Sequence, residues 1–332
     1  MKLRKLIWLP LTVLLLNSCA VGKKVDTSLA NARVTSAVQV NKELELDTFS
    51  QNGELYVKTN EDFFSLSRRT NTIKTIAKSN SKIKASGLQS DSPKIKIDSN
   101  IKESTYAYRS RIKEVKVRQN AFYVDGWIYN IQNIFVRQYN QPASRINKSK
   151  NQLDLTKSDL KERTLISALS KIIVGDPTAA LLDYDEFTLL KHLTDDVTAC
   201  EFAGNLTVIY KIKREIFLRI LAIIALNEES DGPTYVEIGD GEYILQNPVF
   251  TEEEISEKMR ELDPKLVFGK YDYRLVINRD GYIRKIRTDI KYTINTYNDG
   301  EGTSLYSTKK IEGYTKTEVK INEPVLIIFP KF

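Results

Sequence analysis

The chain has one histidine and two cysteines, and that scarcity closes off several chemistries at once. A disulfide-stapled scaffold needs several paired cysteines, so this body has to hold together through its core. His192 lies in Leu189-Leu190-Lys191-His192-Leu193, at the edge of a helical pattern, and no nucleophile-elbow phrase gives it a partner to activate. Glycine-rich phosphate loops, metal-ligand spacings and carboxylate pairs at a forced separation are also missing. The acidic group Asp183, Asp185, Glu186, Asp195 and Asp196 has no calcium-loop spacing and reads as carboxylates stabilising a helix start. These absences point to a non-catalytic protein without a metal or cofactor. Long apolar runs are absent as well. The most apolar stretches, residues 6–16 and 216–226, are each too short to span a bilayer. The formal charge of +7 is small for this length, and Lys2, Arg4 and Lys5 supply part of it. Cations scattered among carboxylates explain such a surplus better than a nucleic-acid footprint, which needs clustering.

What is present starts at the first residue. Lys2, Arg4 and Lys5 form a basic head, residues 6–16 an apolar run broken only by Pro10 and Thr12, and Leu16-Asn17-Ser18-Cys19 a small polar end. That layout is a secretory signal peptide. Its last quartet resembles the lipobox of bacterial lipoproteins, with Leu16 three places before the cysteine. The resemblance implies cleavage before Cys19, a diacylglyceryl group on its sulfur and acylation of the new amino group. The protein is then expected in the cell envelope, held to a membrane by its lipid. Ala20, in place of a retaining aspartate, implies the outer membrane of a two-membrane host, or the outer face of the plasma membrane in a one-membrane host. With Cys19 so used, Cys200 stands alone as a buried thiol and no disulfide is expected. Residues 19–35 read as a flexible tether and 36–332 as one domain.

Between residues 43 and 117, short alternating runs such as Glu54-Leu55-Tyr56-Val57-Lys58 are separated by turn residues, which predicts short antiparallel strands. A Ser/Lys-rich patch over 78–93 reads as an exposed edge or a loop. Asp125-Gly126 between aromatic-rich runs predicts a two-residue hairpin that pairs Phe122 with Tyr129 and Val124 with Trp127 on one face. Residues 138–150 read as a connection, and helices are expected over 158–172, 184–197, 216–226 and 251–262. A meander follows from 271 to the end. In it Tyr271, Tyr273, Leu275 and Ile277 are odd-numbered, whereas Ile286, Ile290, Tyr292 and Ile294 are even-numbered. An even-length loop between them puts both sets on one face.

The order of anchor, strand-rich part, central helices and meander resembles the LolA-like and LppX/LprG-like half-barrel lipoproteins. The phrases Tyr273-Arg274-Leu275-Val276-Ile277-Asn278-Arg279-Asp280-Gly281 and Pro324-Val325-Leu326-Ile327-Ile328-Phe329-Pro330 carry that resemblance. It implies an α+β fold, a strongly curved antiparallel sheet with helices packed in its concave face, and in several members a hollow that holds acyl chains. Candidate lining residues are Phe122, Val124, Trp127, Tyr129, Tyr273, Leu275, Ile286, Ile290 and Tyr292. The partners expected are the membrane through the lipid anchor and a lipid or other apolar ligand. The alternative is an envelope interaction or structural protein with a solid core, whose polar face holds another envelope protein. Segments 54–66 and 121–129 are also similar to outer-membrane propeller blades, but the helical middle breaks the repeat.

Overall fold

The computed structural model describes residues 22–43, 47–65, 68–90, 92–152, 194, 196–230, 234–239, 242–246, 250–298 and 304–328. In chain order their elements begin with β1 (Lys23–Val25), α1 (Thr27–Glu43), β2 (Phe49–Ser65), β3 (Arg68–Ser86), β4 (Lys94–Ala107) and β5 (Ser110–Val124). Then come β6 (Trp127–Gln138), β7 (Gln141–Gln152), β8 (Val197–Phe202), β9 (Asn205–Lys211), α2 (Arg214–Glu229), β10 (Thr234–Gly239) and β11 (Glu242–Gln246). The chain closes with α3 (Glu252–Leu262), β12 (Leu266–Ile277), β13 (Ile283–Tyr297) and β14 (Leu305–Ile321).

Twelve of these strands form one antiparallel sheet in the order β1-β8-β9-β12-β13-β14-β2-β3-β4-β5-β6-β7, and β10 pairs separately with β11. The sheet is open and curled, with β1 and β7 at its edges. Strand dominates over helix among the described residues, so the α+β expectation holds only in its sheet part. An early and the last strand meet in the middle of the sheet: β14 runs along β2 from Ser307 opposite Phe63 to Ile321 opposite Phe49. That ladder joins the β2–β7 meander to the C-terminal meander.

Cross-strand pairing sorts the side chains. Val25, Ala199, Val208, Leu275, Ile286, Thr317, Gly53, Ser81, Ser99, Gln119, Gln132 and Asn147 stand side by side as one row from edge to edge. The face carrying this row, here the inner face, is apolar toward β8–β13 and polar toward β3–β7. Helix α1 covers one end of the apolar part, placing Ala30, Val34 and Ala37 in a core with Phe49, Val208, Leu275 and Ile283. Polar contacts fix its pose: the Ile283 N–H donates to buried Asn41 Oδ1 at 2.7 Å, and the Tyr210 hydroxyl donates to Asn31 Oδ1 at 2.9 Å. Burial pushes the Tyr210 phenol up to about 12. Helix α2 covers the other end with Phe217, whose ring centre lies 5.0 Å from Tyr292 and 5.2 Å from Phe268. The Arg219 guanidinium grips Glu252 at 2.6 and 2.8 Å and ties α2 to α3.

Several expectations change. The stretch read as a tether holds β1 and the first half of α1. The early strands are long rather than short, and the Ser/Lys patch lies mostly in β3, an interior strand between β2 and β4. Residues 138–150 form the end of β6 and most of the edge strand β7, with Pro142 where no inner neighbour needs its missing N–H. The sequence suggests separate strands near 304–311 and 314–322 at the end of the meander, but they are one, β14, which passes straight through Gly313. The 158–172 helix and His192 lie outside the described residues, as does nearly all of the 184–197 helix. Its last residue, Val197, opens β8. The hairpin at Asp125-Gly126 is as expected, and so are α2 and α3.

Two differences carry a physical lesson. The β12–β13 loop holds an odd number of residues, 278–282, yet Leu275 still pairs with Ile286. A bulge after the Ile277–Ile283 pair adds one residue to β13 and restores the parity that an even loop supplies. Cys200 is buried and disulfide-bonded, against the free thiol expected. Cys19 is the chain's other cysteine and lies outside the described residues. β1 sets Lys24 opposite Cys200.

Candidate interaction surface

The nine lining candidates separate onto the two faces of the sheet. Tyr273, Leu275, Ile286, Ile290 and Tyr292 are on the inner face, where the protein's own helices pack against them. Tyr292 also borders a cavity of about 300 Å³, but shares it with Lys291, Lys310, Glu312 and Asn60. Phe122, Val124, Trp127 and Tyr129 pair as expected, Phe122 with Tyr129 and Val124 with Trp127, but on the outer face. In β5, Gln119, Ala121 and Tyr123 point inward, so Phe122 and Val124 cannot. The nine do not form one hollow.

The inner face beyond the helices is a poor bed for hydrocarbon. Gln51 Nε2, Ser99 Oγ, Thr315 Oγ1 and Thr317 Oγ1 are buried there without a hydrogen-bond partner. An acyl chain laid over them gives nothing in exchange for lost hydration, a cost of about 1–3 kcal/mol per group.

The outer face is different in kind. Pairing brings onto it Lys74, Lys78, Lys82 and Lys84 of β3 and Lys94, Lys96 and Lys102 of β4. Lys116 and Arg118 of β5, Arg137 of β6, and Lys148 and Lys150 of β7 extend the array. From the same strands this face receives two carboxylates, Asp98 and Glu114, while Glu103 falls on the other side. Lys78, Lys102 and Lys116 sit directly opposite one another on three successive strands. Such like-charge pairs destabilise a sheet by tenths of a kcal/mol each. Lysine on an edge strand guards against aggregation, which accounts for Lys148 and Lys150, but β3 and β4 are interior strands. Scattered surface charge therefore does not describe this half of the molecule.

Aromatic rings are set among the cations. The Lys150 ammonium lies 4.3 Å from the Trp127 ring centre and 5.2 Å from that of Tyr129, and Lys96 is 5.4 Å from Phe122. Among the described residues, lysine stems and ammonium groups lie over the apolar hairpin face. Farther along, Tyr56 and Tyr314 stack at 5.7 Å, with Lys78 over one ring and Arg287 over the other.

Glu114 anchors the array. It is almost fully buried, with Arg111 at 3.0 Å, Lys116 at 3.2 Å and Lys102 at 3.6 Å. Burial works against its charge most strongly of any single influence, but the three cations together outweigh it and hold its carboxyl below the usual glutamate range. Sequence reasoning missed this surface because it sorted charge by total rather than by parity. The signal was there: lysines at even positions from 74 to 84, with isoleucine, alanine and serine between them.

No protein-family model matches the chain, and no curated protein matches it. Its distant likenesses are to solved β-barrel-like structures. The translocator domain of the autotransporter NalP from Neisseria meningitidis aligns at 7% identity and a TM-score of 0.17, over 88% of this chain and 97% of that one. A β-barrel-like protein with a domain of unknown function, DUF1849, from Brucella abortus gives 11% identity and a TM-score of 0.15, over 82% and 98%. The TodX monoaromatic hydrocarbon channel, as a deltaS2 mutant, gives 7% and 0.20, over 88% and 94%. Likeness at this level bears on neither family nor activity. No helix among the described residues is long and apolar enough to cross a membrane, and no metal-binding cluster occurs among them.

Proposed function

We propose that this is a non-catalytic, lipid-anchored envelope protein that holds an anionic membrane surface through the outer face of β3–β7. One observation carries the reading: interior strands concentrate lysine on one face, with few carboxylates to neutralise it. Lysines two apart on a strand, such as Lys82 and Lys84, are about 6.7 Å apart, and cross-strand neighbours such as Lys78, Lys102 and Lys116 about 4.8 Å, so these charges lie within one Debye length of one another. An anionic surface relieves the repulsion that the sheet otherwise bears.

A membrane suits this array better than a chain-like polyanion. The cations spread over five strands as a sheet of charge, not along a groove. Most are lysines, which act as point charges, rather than arginines, which make bidentate phosphate contacts. Trp127 and Tyr129 bring amphipathic rings of the type that settles at a bilayer interface. The lipobox-like quartet ending at Cys19 supplies a reason for a membrane to be near. The half-barrel lipoprotein resemblance is compatible with this role, but the packed inner face favours a solid core over an acyl-filled hollow.

The test is co-sedimentation with vesicles of phosphatidylcholine containing about one-third phosphatidylglycerol, using the unlipidated Cys19→Ser protein. We expect binding at low salt that weakens steeply as salt rises, and none to pure phosphatidylcholine. The triple variant Lys78→Glu, Lys102→Glu, Lys116→Glu is expected to bind at least tenfold more weakly. Equal binding to both vesicle types, or an unaffected triple variant, overturns the proposal. So does tight binding to an acidic polysaccharide with none to the vesicles.

A further inference from the structure

At one end of the cationic face, β3, β4 and the turn into β5 enclose a cavity of about 710 Å³. Three of its walls are Arg69, Lys74 and Arg109, and no carboxylate lines it among the described residues. Arg69 is held in place: its guanidinium donates to Thr72 Oγ1 at 2.9 Å and meets Asp62 at 2.7 Å. Among the described residues Lys74 and Arg109 face no carboxylate within ion-pair distance. Arg109 is placed by the turn itself, since Tyr108 and Arg109 both adopt positive φ, 50° and 68°. That left-handed pair is a tight hairpin turn built without glycine, a strained choice that projects two large side chains at the mouth of the cavity. Tyr106 and Ile76 supply apolar wall.

We infer that this cavity is a binding site for a phosphate ester, of the chemistry shared by a glycerophospholipid headgroup and a free polyol phosphate. Lys74 and Arg109 take the phosphate, with Arg69 as the fixed third donor. Tyr106 packs on the ligand's carbons. The inference rests on the membrane-docking reading and gives it a specific headgroup pocket beside a non-specific array.

Calorimetric titration of the purified protein with glycerol 1-phosphate tests it. We expect one saturable site, weakened at least tenfold in the Lys74→Ala, Arg109→Ala double variant and unchanged in Asn80→Ala, a control at an exposed position of the same strand. Absence of a saturable site, or the same affinity in the double variant, overturns the inference. The vesicle experiment separates the two ideas. Vesicle binding without a saturable phosphate site leaves the docking face standing and removes the pocket, whereas failure of both removes both. If soluble phosphate binds but the double variant holds vesicles unchanged, the site serves a free polyol phosphate and not the membrane.

Discussion

At the residue scale, two positions show how tightly the sheet constrains its chain. Gly313 sits in the middle of β14, opposite Val57. A Cβ there meets the Tyr56 carbonyl oxygen at 2.5 Å and the Val57 Cα at 3.2 Å. Both are backbone atoms of the ladder joining the two halves of the molecule, so neither yields without displacing a strand. Gly313→Ala is expected to destabilise the protein by about 1–3 kcal/mol, read as a lower urea midpoint. Glu114 makes the matching electrostatic case. Its folded pKa lies below its unfolded one, so its contribution is fully present above the unfolded value of about 4.3. That contribution is lost as pH falls through the lower, folded value. Glu114→Gln is expected to cost about 1–2 kcal/mol at neutral pH, by leaving Lys102, Arg111 and Lys116 mutually repelling. The variant's stability, measured by urea denaturation from pH 7 to pH 3, then falls less than the wild type's on the acid side. A parallel fall in both proteins removes the charge argument.

At the element scale, helix α3 stands on its first turn. Thr251 Oγ1 accepts from the Glu254 N–H at 3.2 Å, and the Glu254 carboxylate accepts from the Thr251 N–H at 2.7 Å, a reciprocal capping box. The hydrogen bonds from the Thr251 backbone and side chain hold the Glu254 carboxyl below its usual range. Thr251→Ala is expected to cost about 1 kcal/mol and to speed amide exchange in α3 without disturbing the distant β3–β7 strands. This helix was legible in Thr251-Glu252-Glu253-Glu254 because its start signal is local. The Asp125-Gly126 hairpin was legible for the same reason. The turns at Tyr108-Arg109, Tyr139-Asn140 and Ala203-Gly204 adopt the same positive-φ geometry, and the first two do so without glycine. Strand registry there is imposed by the long ladders on both sides, so turn chemistry was silent and β7 read as a connection. The candidate site was half legible: the pairing of Phe122 with Tyr129 followed from the turn, but which face of the sheet they share depends on every register between β5 and β12.

At the scale of the whole molecule, the sheet puts β1 at one edge and the lysine-rich strands toward the other. On the proposed reading, a lipid at Cys19 and an adhesive face on β3–β7 would hold the body to a membrane in two ways, one covalent and salt-independent, the other ionic. The sulfur chemistry constrains this picture. A Cys19 sulfur carrying a diacylglyceryl thioether cannot also close a disulfide, and Cys200 is disulfide-bonded here in a chain that still includes residues 1–18. Lipidation therefore requires that Cys200 exist as a buried thiol in the mature protein. Intact mass spectrometry of protein extracted from membranes with detergent is expected to show a chain beginning at Cys19 with added acyl mass, and no further change on reduction. The fractionation of Cys19→Ser follows from the same division of labour. Wild-type protein stays with the membranes in 1 M salt, because screening at a Debye length of about 3 Å leaves the lipid untouched. The variant holds at low salt through its outer face and washes off at high salt. Retention of Cys19→Ser in 1 M salt, at the level of the wild type, removes the anchor from the account. Its release even at low salt removes the adhesive face instead.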